Sequence, residues 1–99
     1  MSSVLNPTPR EKMVDAQGRP YFLWDVDMTL HQFLELLQKG DRATQVYLTG
    51  KLMRQAKPDD VFTFVTLAQI ADSWPEIHED LGRWRPFWEW LLRTWRVVP

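Results

Sequence analysis

Cysteine is absent from the 99 residues, and with it go a disulfide framework, a thiolate zinc site and a cysteine nucleophile. No stretch approaches the roughly 18 consecutive apolar residues of a membrane span, and the N-terminal stretch has no apolar signal core. The expected location is therefore cytoplasmic, with no membrane partner. Glycine is scarce, at four residues, and histidine scarcer, at two. No glycine-rich phosphate loop and no Ser/His/Asp arrangement can be traced. A surplus of positive charge is missing as well: net charge is −1, which disfavours a general nucleic-acid binder. No metal and no cofactor is expected, and nothing points to an enzyme.

What is abundant is tryptophan. Six are present, at Trp24, Trp74, Trp84, Trp88, Trp90 and Trp95. A chain of this length is one domain's worth and buries roughly 60–70% of its unfolded surface. Such large rings are hard to hide completely in so small a body, and they are enriched at interfaces. Charge is distributed with a polarity. Asp59, Asp60, Asp72, Glu76, Glu79 and Asp80 form an acidic middle without Lys or Arg, followed by Arg83, Arg85, Arg93 and Arg96 with only Glu89 opposing them.

Residues 1–13 carry Ser, Pro and charge with little apolar periodicity, the pattern of a flexible arm; residues 14–99 make a single helical domain. Asp15–Gly18 spells a turn. Tyr21 to Trp24, aromatic and preceded by Pro20, reads as an extended segment or short edge strand. Thr29 with Gln32 fits a capping box, with Met28 and Phe33 as a hydrophobic staple, and predicts a helix from Leu30 to Lys39 ended by Gly40. Asp41 caps a second helix reaching Ala56, apolar on two flanks and therefore central. Gly50 weakens it by ~1 kcal/mol relative to Ala, which a close crossing there would explain. Pro58-Asp59-Asp60 opens a short element over 61–65, read as helix because acids suit a first turn. Thr66 with Gln69 is a second capping box, for a helix expected to yield at Trp74 before Pro75. A turn to Gly82 and a last helix from Pro86 to Arg96 complete the reading. The fold class is thus mainly α: a compact bundle of about five short helices with the N-terminal extended piece.

Three motifs invite chemistry. Leu23-Trp24-Asp25-Val26-Asp27-Met28-Thr29-Leu30 resembles the first motif of haloacid-dehalogenase-type phosphatases, D-x-D-G-T-L after a strand. There Asp25 would be the nucleophile and Asp27 the acid. Met28 stands where that family has glycine, and the chain lacks the several parallel strands the fold requires. A solvated acidic surface accounts for His78 among Glu76, Glu79 and Asp80 better than a metal site does. Asp59–Val65 followed by Thr66–Trp74 has helix-turn-helix lengths, but its second helix offers Gln69, Asp72 and Ser73 with no positive charge to meet phosphate.

The most informative segment is Arg83 to Arg96. On a helical wheel Leu91, Trp84, Trp95, Trp88 and Leu92 form one stripe, widened by Phe87 and Trp90. Glu89, Arg93 and Arg96 edge it. One helix face on a small domain buries only part of so wide an arc, leaving an apolar patch with the composition of an interface hot spot. The candidate partner-binding residues are Trp24, Asp25, Trp84, Arg85, Trp88, Trp90, Arg93 and Arg96. The expected partner is a protein, either another chain or a second copy in a homodimer. Stacking on single-stranded nucleic acid is the alternative, and the acidic middle counts against it.

The order of features over 20–96 (Phe22, Trp24, Asp25, Asp27, Leu48, Asp60, Val61, Leu67, Ile70, Phe87, Trp88) resembles a family of small bacterial and archaeal F-x-W-D-x-D helical proteins. Those are often encoded beside abortive-infection-type nucleotidyltransferase toxins. Gly50 and the tryptophans Trp84 and Trp90 depart from the pattern. The resemblance implies an antitoxin-like partner of a toxin enzyme and carries over no catalytic residue.

Overall fold

The computed structural model describes residues 6–95. The predicted caps are formed. Thr29 Oγ1 accepts from the Gln32 amide while Gln32 Oε1 accepts from the Thr29 amide, and Thr66 and Gln69 repeat the exchange. Each pair satisfies two amides that an α-helix start leaves without partners. Asp41 accepts from the Thr44 amide at a third start. The helices are α1 (Arg10–Met13), α2 (Leu30–Lys39), α3 (Arg42–Gln55), α4 (Pro58–Phe64), α5 (Leu67–Ile77) and α6 (Arg85–Thr94). Two 3₁₀ segments, Tyr21–Leu23 and His78–Trp84, join them, and the described residues form no strand.

The chain is mainly helical, with α3 at its centre. α3 packs against α2, α4, α5 and both 3₁₀ segments. Leu48, Leu52 and Met53 on this helix are buried with Phe22, Phe33, Val61, Ile70, Ile77, Leu81, Trp88 and Leu92, each such side chain contributing roughly 1.5–3 kcal/mol by leaving water. Phe22, Phe33 and Phe64 meet with ring centroids 5.2–5.6 Å apart. Tyr47, on one of the apolar flanks, remains exposed.

Tyr21 to Trp24 is not the expected extended segment or edge strand. Phe22 and Leu23 are both buried, and consecutive residues of a strand face opposite sides, so a strand could not place both in one core. A 3₁₀ turn does so, with the Leu23 amide on the Pro20 carbonyl at 3.1 Å. The extended character survives only as an isolated antiparallel bridge, Val14 with Pro20, around the Asp15–Gly18 turn, where Gly18 has φ 79°.

The N-terminal segment, expected as a flexible arm, makes contacts with the body. Residues 1–5 lie outside the described residues, but Asn6, Thr8 and Met13 tie the segment down. Met13 is buried, and the Asn6 amide donates to Asp59 at 2.9 Å. The Thr8 amide and hydroxyl both donate to Asp60, at 2.6 and 2.8 Å. The Tyr21 hydroxyl is a third donor, at 2.6 Å. Burial alone pushes the Asp60 carboxyl up, but the bonds from Tyr21 and Thr8 outweigh it and hold the group below its ordinary value. The same burial and the Asp60 contact push the Tyr21 hydroxyl up. Local sequence shows no apolar period here because the tether is polar and long-range.

α5 runs through Pro75 to Ile77 rather than stopping at Trp74. Pro75 faces water, so its missing donor lies on the solvated side, and continuing the helix delivers Ile77 and Leu81 to the core. Gly40 is not left-handed, at φ −68°. A Cβ at Gly40 would nonetheless run into the Leu36 carbonyl oxygen. Gly82 takes a positive φ, at 55° with ψ −130°, where the chain kinks into α6.

Candidate functional site

α6 sorts its aromatic residues by helical position. Trp88 and Leu92, four apart, face inward and are fully buried. The Trp88 indole N–H donates to the Met53 carbonyl at 3.0 Å, so this ring is part of the core. That corrects the expectation that Trp88 touches a partner: the wheel identifies the stripe, but the body of α3 and α4 claims its centre line. Phe62 of α4 closes over the same ring at 5.8 Å.

The flank tells the opposite story. Trp90 is 60% exposed and Trp95 61%. Phe87 joins the inner and outer rings, with centroids 5.3 Å from Trp88, 6.3 Å from Trp90 and 6.4 Å from Trp84. Trp84, Phe87 and Leu91 are half-buried, so the surface grades from core to water across a continuous aromatic band. Three guanidinium groups border it. Arg83 lies over the Trp84 ring at 5.9 Å, a cation–π contact. Arg85 and Arg93 share Glu89, each at 3.6 Å. These pairs are long and exposed, hence worth little, and one carboxylate cannot neutralise two arginines and a third beside it. The face is aromatic with a positive surplus. Arg96, the remaining candidate here, lies outside the described residues.

The second part of the predicted site is built on other elements. Trp24, three-quarters exposed, follows the 3₁₀ turn and lines a hollow with Met13, Val14 and Arg19. Asp25 meets the Lys51 ammonium of α3 at 2.6 Å. The hydrogen bond from Lys51 holds the Asp25 carboxyl below the ordinary carboxylate range. Lys51 itself is buried and lies 5.6 Å from the Tyr47 ring centre. Asp25 is therefore committed to an intramolecular ion pair, while Trp24 remains free at the surface. The sequence alone does not single out Tyr47, Lys51 or Asp60 as site residues. The partnership of Asp25 with Lys51 spans 26 residues and leaves no local signal.

The D-x-D motif does not assemble as a phosphatase site. No strand precedes it among the described residues, Asp25 is held by Lys51, and Asp27 points into water with Arg19 at 3.6 Å. Asp59 and Asp60 bind the N-terminal segment. No three His, Asp or Glu side chains among the described residues gather to hold a metal ion. Glu76, Glu79 and Asp80 form the expected solvated acidic surface, while His78 itself is half-buried against Trp74, centroids 5.8 Å apart. The outer face of α5, the would-be recognition helix, shows Asp72 and Glu76 clamped by Arg42 at 2.7 and 2.6 Å. That cation is spent, so the helix has no positive charge for phosphate.

Among the described residues no helix is long and apolar enough to cross a membrane. No family model, no curated protein and no solved structure matches this chain, so the chemistry of the α6 face is what guides a functional reading.

Proposed function

We propose that the chain is a protein-interaction module that docks through the outer face of α6, with Trp90, Trp95 and Arg93 at the centre of the contact and Trp84, Phe87 and Arg85 around it. The observation that carries this reading is the exposure of Trp90 and Trp95 beside a half-buried aromatic band. Indole rings left in water forgo the favourable transfer that folding normally collects, and rigid aromatic side chains next to arginine are the groups that dominate protein contacts. Trp24 is an outlying contact on a separate element, and Trp88 supports the face from beneath by fixing the helix.

The toxin-associated resemblance suggests an antitoxin-like role toward a nucleotidyltransferase. Co-expression with the product of the neighbouring gene, followed by gel filtration, tests it. A complex that persists with the wild-type chain and is lost on Trp90→Ala or Arg93→Glu supports docking through α6. A complex indifferent to both substitutions moves the contact elsewhere. Rings beside Arg83, Arg85 and Arg93 are also the chemistry of single-strand stacking. Retention on single-stranded nucleic acid that falls steeply with salt would favour that second reading.

A further inference from the structure

The partner chemistry that fits the α6 face is present on the chain's own opposite-signed surface. Between α3 and the end of α5 lies a hollow of about 300 Å³, at the bottom of the size range of small-molecule pockets and suited to one large side chain. Gly50 and Ile77 form its floor, Val46 and Tyr47 its walls, and Arg54 and Asp80 its rim. Arg54 is turned onto the Asp80 carbonyl at 3.1 Å. The carboxylates of Asp80 and the adjacent Glu79 enter no ion pair among the described residues. Glu76, also at the rim, is held by Arg42.

Gly50 is the second observation. A glycine in the middle of α3 costs about 1 kcal/mol relative to alanine, and a close crossing would account for it. The crossing is not that close. A Cβ at position 50 would lie 3.6 Å from Ile77 Cγ2 and 3.7 Å from Arg54 Nη1, ordinary van der Waals contact. Packing within the chain therefore does not require the glycine. What the absent side chain leaves is the depth of the hollow.

We infer that this hollow seats Trp90 of a second copy of the chain, with Arg93 of that copy against Asp80 and Glu79. The hollow supplies an apolar floor and an aromatic wall for the indole, and Asp80 at its rim with Glu79 beside it offers carboxylates without an ion pair among the described residues to the guanidinium that Glu89 only partly neutralises, Arg54 being a cation at the same rim. Knob and hollow lie on different elements, so a two-fold dimer exchanges both at once, each copy's knob in the other's hollow; without that two-fold relation the contact is head-to-tail, leaves one knob and one hollow free and adds further copies. This inference rests on α6 being a docking face and names what docks.

The test is solution mass by light scattering and sedimentation from about 1 μM to about 1 mM. Mass is expected to rise with concentration from that of one chain to that of a dimer or a larger assembly. Trp90→Ala should weaken association about thirtyfold, and Arg93→Glu and Asp80→Lys about tenfold each. Gly50→Leu should block the hollow; Asp80→Lys, an exposed change, keeps the test decisive if Gly50→Leu misfolds. An equimolar mixture of the Arg93→Glu and Asp80→Lys chains should regain association, because an intact Arg93 then meets an intact Asp80 on another chain. Association untouched by Asp80→Lys, or a mixture that stays monomeric, overturns the seat. A wild-type chain that is monomeric throughout overturns self-docking altogether. In that event, acrylamide quenching of the Trp90 contribution, isolated by comparison with Trp90→Phe, separates two failures: an accessible ring leaves α6 as a docking face for another protein, and a shielded one removes that reading too.

Discussion

Trp88 and Trp90 stand two residues apart on one helix, and substituting each separates the role of core from the role of surface. Trp88 is wholly buried, and its N–H is bonded to the Met53 carbonyl. Truncation to alanine removes a large ring from a closed site, at about 3–5 kcal/mol. It also strands that carbonyl, at about 1–3 kcal/mol if no water reaches it. Against a total stability of about 5–15 kcal/mol, Trp88→Ala is expected to leave the chain largely unfolded or nearly so. Trp88→Phe keeps much of the packing and loses the hydrogen bond, so about 1–3 kcal/mol is expected. Trp90 is mostly in water with one ring neighbour, Phe87, and its replacement by alanine should change stability by no more than about 0.5–1 kcal/mol. Urea unfolding followed by far-UV circular dichroism measures all three, with a slope of about 1–3 kcal/mol per molar urea. Trp88→Phe should therefore lower the midpoint by roughly 1 M, while Trp90→Ala leaves it nearly in place. If Trp88→Ala unfolds at the wild-type midpoint, or Trp90→Ala costs more than about 2 kcal/mol, the division of α6 into core and docking faces is wrong.

Three further outcomes follow from the packing. Asp60 is held below its ordinary value, so it contributes stability that is present above about pH 4 and disappears as pH falls through the depressed folded value; Asp60→Asn should lower stability at pH 7 by about 2–4 kcal/mol and flatten the acid limb of a pH–stability curve. An acid limb as steep in that variant as in the wild type would show that the Thr8 and Tyr21 bonds are not its source. Gly50→Ala should stabilise the isolated chain by about 0.5–1 kcal/mol, since the added methyl meets only ordinary contacts; a lower melting temperature at low protein concentration would contradict this. Gly82→Ala should cost about 1–3 kcal/mol from backbone strain alone, because φ is 55° there while a Cβ would have open space around it. Thermal unfolding decides it, and a neutral result would mean the kink adjusts freely.

Local chemistry was enough to place most of the helices. A Thr hydroxyl and a Gln amide three residues apart can satisfy each other's amides whatever surrounds them, so the starts at Thr29 and Thr66 were legible, as were Asp41 and the α4 helix behind two acids. The width of the apolar arc on α6 likewise announced more aromatic surface than one face can bury. Which rings would be covered was not legible. Trp88 and Trp90 carry the same side chain, and only the arrival of Met53 from α3 and Phe62 from α4 makes one core and leaves the other in water. The 3₁₀ turn at Tyr21, the passage of α5 through Pro75, the bonds from Asn6 and Thr8 to Asp59 and Asp60 and the pairing of Asp25 with Lys51 share that character. In each, contacts from distant parts of the chain outweigh a local preference worth a kcal/mol or a few. Composition and caps determined that this protein is a small helical body rich in indole; the tertiary structure decided which indoles face outward, because burial belongs to the assembled elements and not to any one of them.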